Sequence, residues 1–273
     1  MAHLIKQNII ICFIVILIAS IVGCNEVDPS KHAGRLRISL TEGGGLFLKG
    51  FYIDLQSIEV ILSDSLGHST NEWIPLEFTG GVYELSNLTQ EKSKQLVDQF
   101  FPAENRIINI RLTFGKDSYL LLSGQGNEKI PVIIPDEYSK STIFPANAQI
   151  FENVICNILL DINILESLSL ENGTYVFRPT GRSYPETFGG TIKGSVQQKD
   201  IPFIVLAHKE NVDTIATLTD RSGVFLFRGL NTGLWNITIL GDDSLRYADS
   251  TFVDTVFQGK ITTISPVNLK QIN

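Results

Sequence analysis

Residues 51–62 read FYIDLQSIEVIL, and the spacing of their apolar side chains decides the fold. Ile53 and Leu55 alternate with polar neighbours, and Ile58, Val60 and Leu62 do so again, one position out of phase. An apolar period of two marks a strand that buries one face. The slip at Gln56 and Ser57 predicts a β-bulge, one extra residue that bends a strand while keeping its inward face inward. Working outward, residues 35–41 set Leu36, Ile38 and Leu40 against Arg35, Arg37 and Ser39, and residues 106–114 place Ile108, Ile110, Leu112 and Phe114 on one face. Residues 73–78, 82–88, 119–122, 129–134, 150–164 and 174–178 complete an antiparallel set. One segment departs from this pattern. Residues 89–101 predict a short helix, with Thr89 as N-cap, Leu96, Val97 and Phe100 on one face, and Pro102 as the stop.

The 273-residue chain is 43% hydrophobic, ordinary for a folded protein and far from the composition of disorder. A net charge of −7 provides no basic stripe for a phosphate backbone, which excludes nucleic acid as a partner. At the N terminus, residues 9–24 read IIICFIVILIASIVGC behind Lys6. This apolar run is shorter than the roughly 20 residues that span a bilayer and fits the core of a secretory signal peptide. Its last four residues, Ile21-Val22-Gly23-Cys24, resemble the lipobox of bacterial lipoproteins. The resemblance implies cleavage after residue 23 and a diacylglyceryl group on Cys24. The other reading is an uncleaved apolar anchor with an incidental cysteine. Cys12 leaves with the signal and Cys24 takes the lipid, so Cys156 has no intramolecular partner and reads as a small packed hydrophobe. Asn25, where an Asp would favour inner-membrane retention, points to the outer membrane, with the periplasmic or cell-surface face open.

About 250 residues remain after the signal, room for two domains. Residues 24–34 read as a lipidated tether. In the first domain, Thr41-Glu42, Ile53, Ile58 and Val60, Trp73 with Leu76 and Phe78, Gly81-Val82-Tyr83-Glu84-Leu85, Pro102-Ala103 and Ile110-Arg111-Leu112 resemble the lipoprotein module called domain of unknown function 4382. The resemblance covers residues 35–180. It implies a secreted β domain and brings no activity. Residues 181–190 (GRSYPETFGG) read as a linker by their Gly and Pro content. In residues 191–273, Asp220-Arg221-Ser222-Gly223 is a hairpin turn, Phe225 and Phe227 share a face, Leu230 plugs the end, and Gly233 allows a reversal. This order resembles the carboxypeptidase regulatory-like, transthyretin-type sandwich, which implies an accessory module without catalytic residues. The expected architecture is mainly β, with two antiparallel β-sandwich domains in tandem and one short helix in the first.

Chemical signals are sparse. His32, His68 and His208 have no metal-ligand spacing, and no HExxH, GxSxG or Cys-x-x-Cys motif is present. The expectation is no catalytic residue, no metal and no cofactor. Asp242, Asp243, Asp249 and Asp254 read as solvated acidic loops in preference to a calcium site, because no twelve-residue calcium loop is present. Trp73 and Trp235 read as core. Tyr184 and Tyr247 lie in polar stretches and are the ligand-contact candidates, as exposed rings for sugar faces. Five triplets, at Asp64-Ser65-Leu66, Asp213-Thr214-Ile215, Asp243-Ser244-Leu245, Asp249-Ser250-Thr251 and Asp254-Thr255-Val256, resemble the acceptor of bacterial periplasmic O-glycosylation. Ser65, Thr214, Ser244, Ser250 and Thr255 are the acceptors so implied, and ordinary turn chemistry before a strand is the competing reading. The functional expectation is a non-enzymatic, lipid-anchored envelope protein that contacts the membrane through its lipid and binds a glycan or an envelope protein. A fimbria-like or assembly subunit is the alternative.

Overall fold

Fourteen residues of β2 (Gly50–Ser63) organise the first of two β bodies. The register of β2 against β6 (Arg106–Phe114) shifts between Leu55 and Ser57, where the apolar phase slips in the sequence. Ile53, Leu55, Ile58 and Val60 are all buried as a result. The bend lets β2 pair with four strands: β3 (Ile74–Pro75), β4 (Gly81–Glu84), β6 and β7 (Tyr119–Leu121). Asp54 beside the bulge is buried and organises the β6–β7 turn. Its carboxylate accepts the N–H of Asp117, and its own N–H donates to the Ser118 hydroxyl.

The computed structural model describes residues 30–42, 48–63, 67–88, 92–242 and 244–272. The signal peptide, Cys24, most of the tether, Ser65, the Thr89 cap and Asp243 lie outside the described residues. The first body continues through β8 (Ile130–Ile133), α1 (Asp136–Lys140), β9 (Thr142–Gln149), β10 (Ile155–Ile162), α2 (Ile164–Ser167), β11 (Leu168–Glu171), β12 (Thr174–Phe177) and β13 (Gly181–Pro185). Its nine-stranded sheet runs β11-β12-β8-β7-β2-β6-β9, with β3 and β4 on β2. With β1 (Ala33–Glu42) and β5 (Lys94–Pro102), a four-stranded sheet runs β13-β10-β1-β5. Leu36, Ile38 and Leu40 of β1 join Ile158, Leu160 and Ile162 of β10 in the core against β2 and β6. The pairing of β1 with β10 is parallel, a departure from the expected antiparallel set. Parallel neighbours need a long crossover, and here the crossover is most of the other sheet.

The second body holds β14 (Gly190–Ser195), β15 (Ile204–Lys209), β16 (Val212–Leu218), β17 (Val224–Leu230), β18 (Gly233–Ile239), β19 (Ser250–Val256) and β20 (Ile261–Thr263). Its sheets run β17-β14-β20 and β16-β15-β18-β19 around a separate core containing Phe225, Phe227, Leu230 and Trp235. The turn at residues 220–223 forms as read. Gly223 has φ +82°, and the Asp220 carboxylate accepts the N–H groups of Ser222 and Val224.

Three readings are corrected. Residues 94–102 are strand β5, not helix, because the free edge of β1 supplies a full ladder of partners and tertiary pairing overrides a period near four. Val97 and Phe101 are buried while Phe100 is exposed, and a register shift opposite Ile38 and Ser39 produces that spacing. The short helices of the first body are α1 and α2 instead. In β6 the inward residue is Ile107, not Ile108, because a second register shift falls between Ile107 and Asn109. Residues 181–185 are not linker; they form β13, paired to β10. The Pro145-bearing strand β9 sits at a sheet edge, where a residue without N–H is tolerated. Its Pro145 carbonyl accepts the Ser183 hydroxyl of β13 at 2.8 Å, which draws the two sheets together along that edge.

The strand assignment of residues 94–102 has a direct test. Val97→Ala should cost about 2 kcal/mol in urea unfolding and Phe100→Ala well under about 1, whereas a helix presenting both residues to the core would lose on both. The Asp98 carboxyl, hydrogen-bonded by Arg35 and Arg37 of β1, is held below the usual carboxylate range, chiefly by Arg35. Its stabilisation is therefore complete above the unfolded value of about 4 and is lost as pH falls through the lower folded value. Asp98→Asn should flatten the acid side of the stability profile.

Candidate functional site

The most built polar constellation lies where β13 meets the second body. Asp161 of β10 is buried on the outer face of its sheet and pairs in register with Arg182 of β13. A buried carboxylate demands a partner, and Arg182 Nη2 donates to Asp161 Oδ2 at 2.9 Å. The same guanidinium donates to the Arg228 carbonyl at 2.7 Å and, more weakly, to the Gly229 carbonyl at 3.4 Å, both on β17. It also lies over the Tyr184 ring, 4.9 Å from its centroid. One planar fork therefore joins a charge in the first body to the main chain of the second.

Tyr184 departs from the exposed ring expected of it and is 5% exposed, which is a correction. It stands opposite Leu159 on β13, and its ring fills the space over Gly229. A Cβ at position 229 would lie 2.6 Å from that ring, and Gly229 has φ +62°, so glycine is required there twice over. Burial raises the Tyr184 phenol well above its ordinary pKa, and the charge of Asp161 adds to the effect. The Tyr184 hydroxyl and Asp161 Oδ1 are both buried without a hydrogen-bond partner among the described residues.

Residues 186–190 are fixed as well. Glu186 N–H donates to the Asn157 carbonyl, Asn157 Nδ2 returns a bond to the Glu186 carboxylate at 2.9 Å, and Glu186 lies 3.6 Å from Arg228. Gly259 N–H donates to the Gly189 carbonyl, and Gln258 Nε2 to that of Thr187. Together these segments enclose a cleft of about 620 Å³, within the range of small-ligand sites. Phe188, Leu226 and Ile261 give it apolar wall, and Lys193, Arg228 and Lys260 bring three cations against the single carboxylate of Glu186.

The other candidates are scattered. Tyr247 is half-buried, edge-on to Phe203 at 5.7 Å, and does not line the cleft. Thr214 is exposed, with its hydroxyl 3.0 Å from His208 Nδ1. Ser244 is exposed, and its hydroxyl donates to Asp242. Ser250 and Thr255 are half-buried on β19. Trp235 is buried, with its indole N–H bonded to the Asn231 carbonyl, and Trp73 is half-buried under Arg111. The carboxylate of Asp249 is engaged by Gly241 N–H, and that of Asp242 by the N–H groups of Ser244 and Leu245. Among the described residues no three His, Cys, Asp or Glu side chains gather as metal ligands. Reading residues 181–190 as linker hides Arg182 and Glu186. The legible signal is the acid inside the apolar run of β10, which needs a cation nearby.

A family model described as Domain of unknown function (DUF4382) matches residues 33–179, more than half of the sequence. The chain belongs to this family. The DUF4382 match takes in Asp161 and stops short of Arg182, so the joint is made by the family domain together with residues C-terminal to it. No curated protein matches the chain. Among solved structures it is similar to the Bacillus anthracis TIE protein, at 11% identity and a TM-score of 0.25 over 87% of this chain and 34% of that one. It is also similar to GBS52, the minor pilin of Streptococcus agalactiae, at 11% identity and a TM-score of 0.24 over 88% and 97% of the two chains. A third is BcpA, the major pilin subunit of Bacillus cereus, at 8% identity and a TM-score of 0.26 over 88% and 71%. The chain thus spans about a third of the TIE protein's length. Likenesses at these TM-scores establish neither a shared fold nor a shared role.

Arg182→Ala should leave Asp161 buried and unpaired and cost about 3–5 kcal/mol in urea unfolding. The double variant Asp161→Leu with Arg182→Met should recover much of that loss, since a buried ion pair replaced by apolar groups is often near neutral.

Proposed function

We propose that this DUF4382 protein is a non-enzymatic, lipid-anchored protein of the outer envelope, and that the cleft at the joint of its two β bodies binds a glycan. The cleft carries the reading. Its apolar wall at Phe188 and Ile261 offers a surface for sugar ring faces, and three cations against one acid favour a saccharide that bears carboxylate or sulfate groups. The protein would accordingly be an accessory module that holds an envelope polymer near the membrane. The fixed loop at residues 186–190 keeps the site preorganised, which lowers the ordering cost of binding. Lipidation at Cys24 follows from the lipobox resemblance, and two acyl chains give stable attachment.

Acidic and neutral glycans offered to detergent-solubilised full-length protein should separate, with the acidic ones retained. Lys260→Gln should weaken retention by about tenfold, roughly the 1.4 kcal/mol of one lost charge contact, with the circular dichroism unchanged. Equal retention of both classes would count against the reading. Labelled palmitate should enter the wild-type protein and not Cys24→Ala.

A second reading, the fimbria-like or assembly subunit, is favoured by one observation. The edge strand β16 is capped by the first body, whereas β19, at the opposite edge of the same sheet, exposes Val253. An open edge can accept a donated strand. Detergent-stable ladders on a gel, abolished by Val253→Pro, would move the interpretation to that class.

A further inference from the structure

The chain enters the first body beside an apolar patch. The carbonyl of Ala33, at the head of β1, accepts the N–H of Asn153, and Arg35 N–H donates to the Val154 carbonyl, so the β9–β10 turn lies against the entry strand. Gly34 permits this contact, since a Cβ there would meet the Phe151 carbonyl at 2.4 Å. In that turn Phe151 and Val154 are 55% and 49% exposed, and Ile155, which comes next at the start of β10, is 54% exposed. Arg35 pairs in register with Ile155 on one side and with Phe100 of β5 on the other. Phe100 is 44% exposed, with the Arg35 guanidinium 5.4 Å from its ring centroid.

Phe100 and Ile155 thus flank Arg35, and Phe151 and Val154 are exposed in the turn that leads into Ile155. Singly exposed apolar residues need no explanation, but a contiguous set marks an interaction surface. The polar groups at this end hold one another: His32 Nδ1 lies 3.4 Å from Glu152, and Arg35 and Arg37 share Asp98. The exposed apolar side chains therefore stand among engaged polar groups, and the attraction they themselves offer is apolar.

The length of chain outside the fold identifies the occupant. Position 24 lies eight residues before His32, and an extended chain covers at most about 3.5 Å per residue. A lipid on Cys24 therefore holds this end of the first body within about 30 Å of the bilayer, where even a weak contact is promoted by its high effective concentration. We propose that Phe100, Phe151, Val154 and Ile155 dock on the lipid surface, with the two phenylalanines entering the boundary between headgroups and acyl chains. This rests on the lipid anchor proposed above and adds that the folded domain itself touches the membrane.

Full-length protein purified from membranes as Phe151→Trp or Leu170→Trp, alongside its parent, tests the contact in phosphatidylcholine vesicles with and without brominated acyl chains. Leu170 is equally apolar and exposed but lies on β11, in the other sheet. Relative to the parent, the tryptophan at 151 should lose about half its emission to brominated lipid, as expected for a ring at the depth of the acyl boundary, and the one at 170 should lose none. Vesicle-bound protein with both positions unquenched would overturn the docking and leave the anchor standing. Failure to float with vesicles would overturn both. A blue shift at 151 that grows with protein concentration and ignores brominated lipid would overturn it in favour of contact between two copies.

Discussion

The buried pairing of Asp161 with Arg182 is the constraint on which the rest of the molecule depends. A carboxylate on the outer face of a sheet normally stays solvated; this one is removed from water and has to be neutralised in place. Register supplies Arg182 on the next strand, but one carboxylate oxygen does not satisfy a guanidinium. The remaining N–H groups are directed at the Arg228 and Gly229 carbonyls, so the first body completes its own charge balance by fixing β17 of the second. The Tyr184 ring then lies under that guanidinium and over a glycine with positive φ, and the loop after it has little freedom left. The cleft is a consequence of this closure. Gly189 and Gly190 let its floor pack closely, since a Cβ there would meet the carbonyls of Leu230 and Phe257 at 2.2 Å.

A second attachment prevents the joint from acting as a hinge about one side chain. Sheet edges are a hazard because their unpaired amides invite other strands. On β16 the hazard is met from the first body. Asn163 Nδ2 donates to the Ala216 carbonyl at 3.0 Å, and the Ala216 N–H is bonded to Glu166, both residues lying at or within α2. Within the first body, β9 and β13 cover each other's edges through the Pro145–Ser183 contact. One edge of the second body is thus bonded at Ala216 to its neighbour. With Cys156 the single described cysteine, no disulfide takes part among the described residues, and the coupling is packing, hydrogen bonding and the Glu186–Arg228 ion pair.

How much of this the sequence discloses depends on the range of the forces involved. The bulge in β2, the alternation in β1 and the Asp220–Gly223 turn are written in contiguous residues, because side-chain period and turn chemistry are local. Strand β5 reads as helix because Leu96, Val97 and Phe100 recur at three- and four-residue spacing, whereas the free edge of β1 and its irregular register bury Val97 and Phe101 instead. The family domain is legible from scattered apolar and turn residues, and the match to residues 33–179 agrees with it. The joint is not. Gly and Pro in residues 181–190 are the marks of a linker, and they are equally the marks of close backbone approach. Which of the two applies depends on Gly229, some forty residues away, and on an acid about twenty residues upstream.

Strand β1 ties the two ends of this outer face into one geometry. Arg35 stands among the exposed apolar residues near the entry of the chain, Arg37 shares Asp98 with it, Ser39 bonds Asn157, and Thr41 is the register partner of Asp161. Successive outward residues along a strand are spaced by about 6.6 Å, so six residues separate the apolar patch from the buried ion pair by about 20 Å. Between them runs a polar chain from Asn157 to Glu186 to Arg228, which reaches the wall of the cleft. A slip of one residue in β1 would turn Arg35, Arg37 and Thr41 inward and Leu36, Ile38 and Leu40 outward, removing the core, the patch and the joint at one stroke. The separation between the exposed apolar end and the cleft is therefore fixed by the same alternation that folds the first body, and neither can be shifted along the sheet without unfolding it.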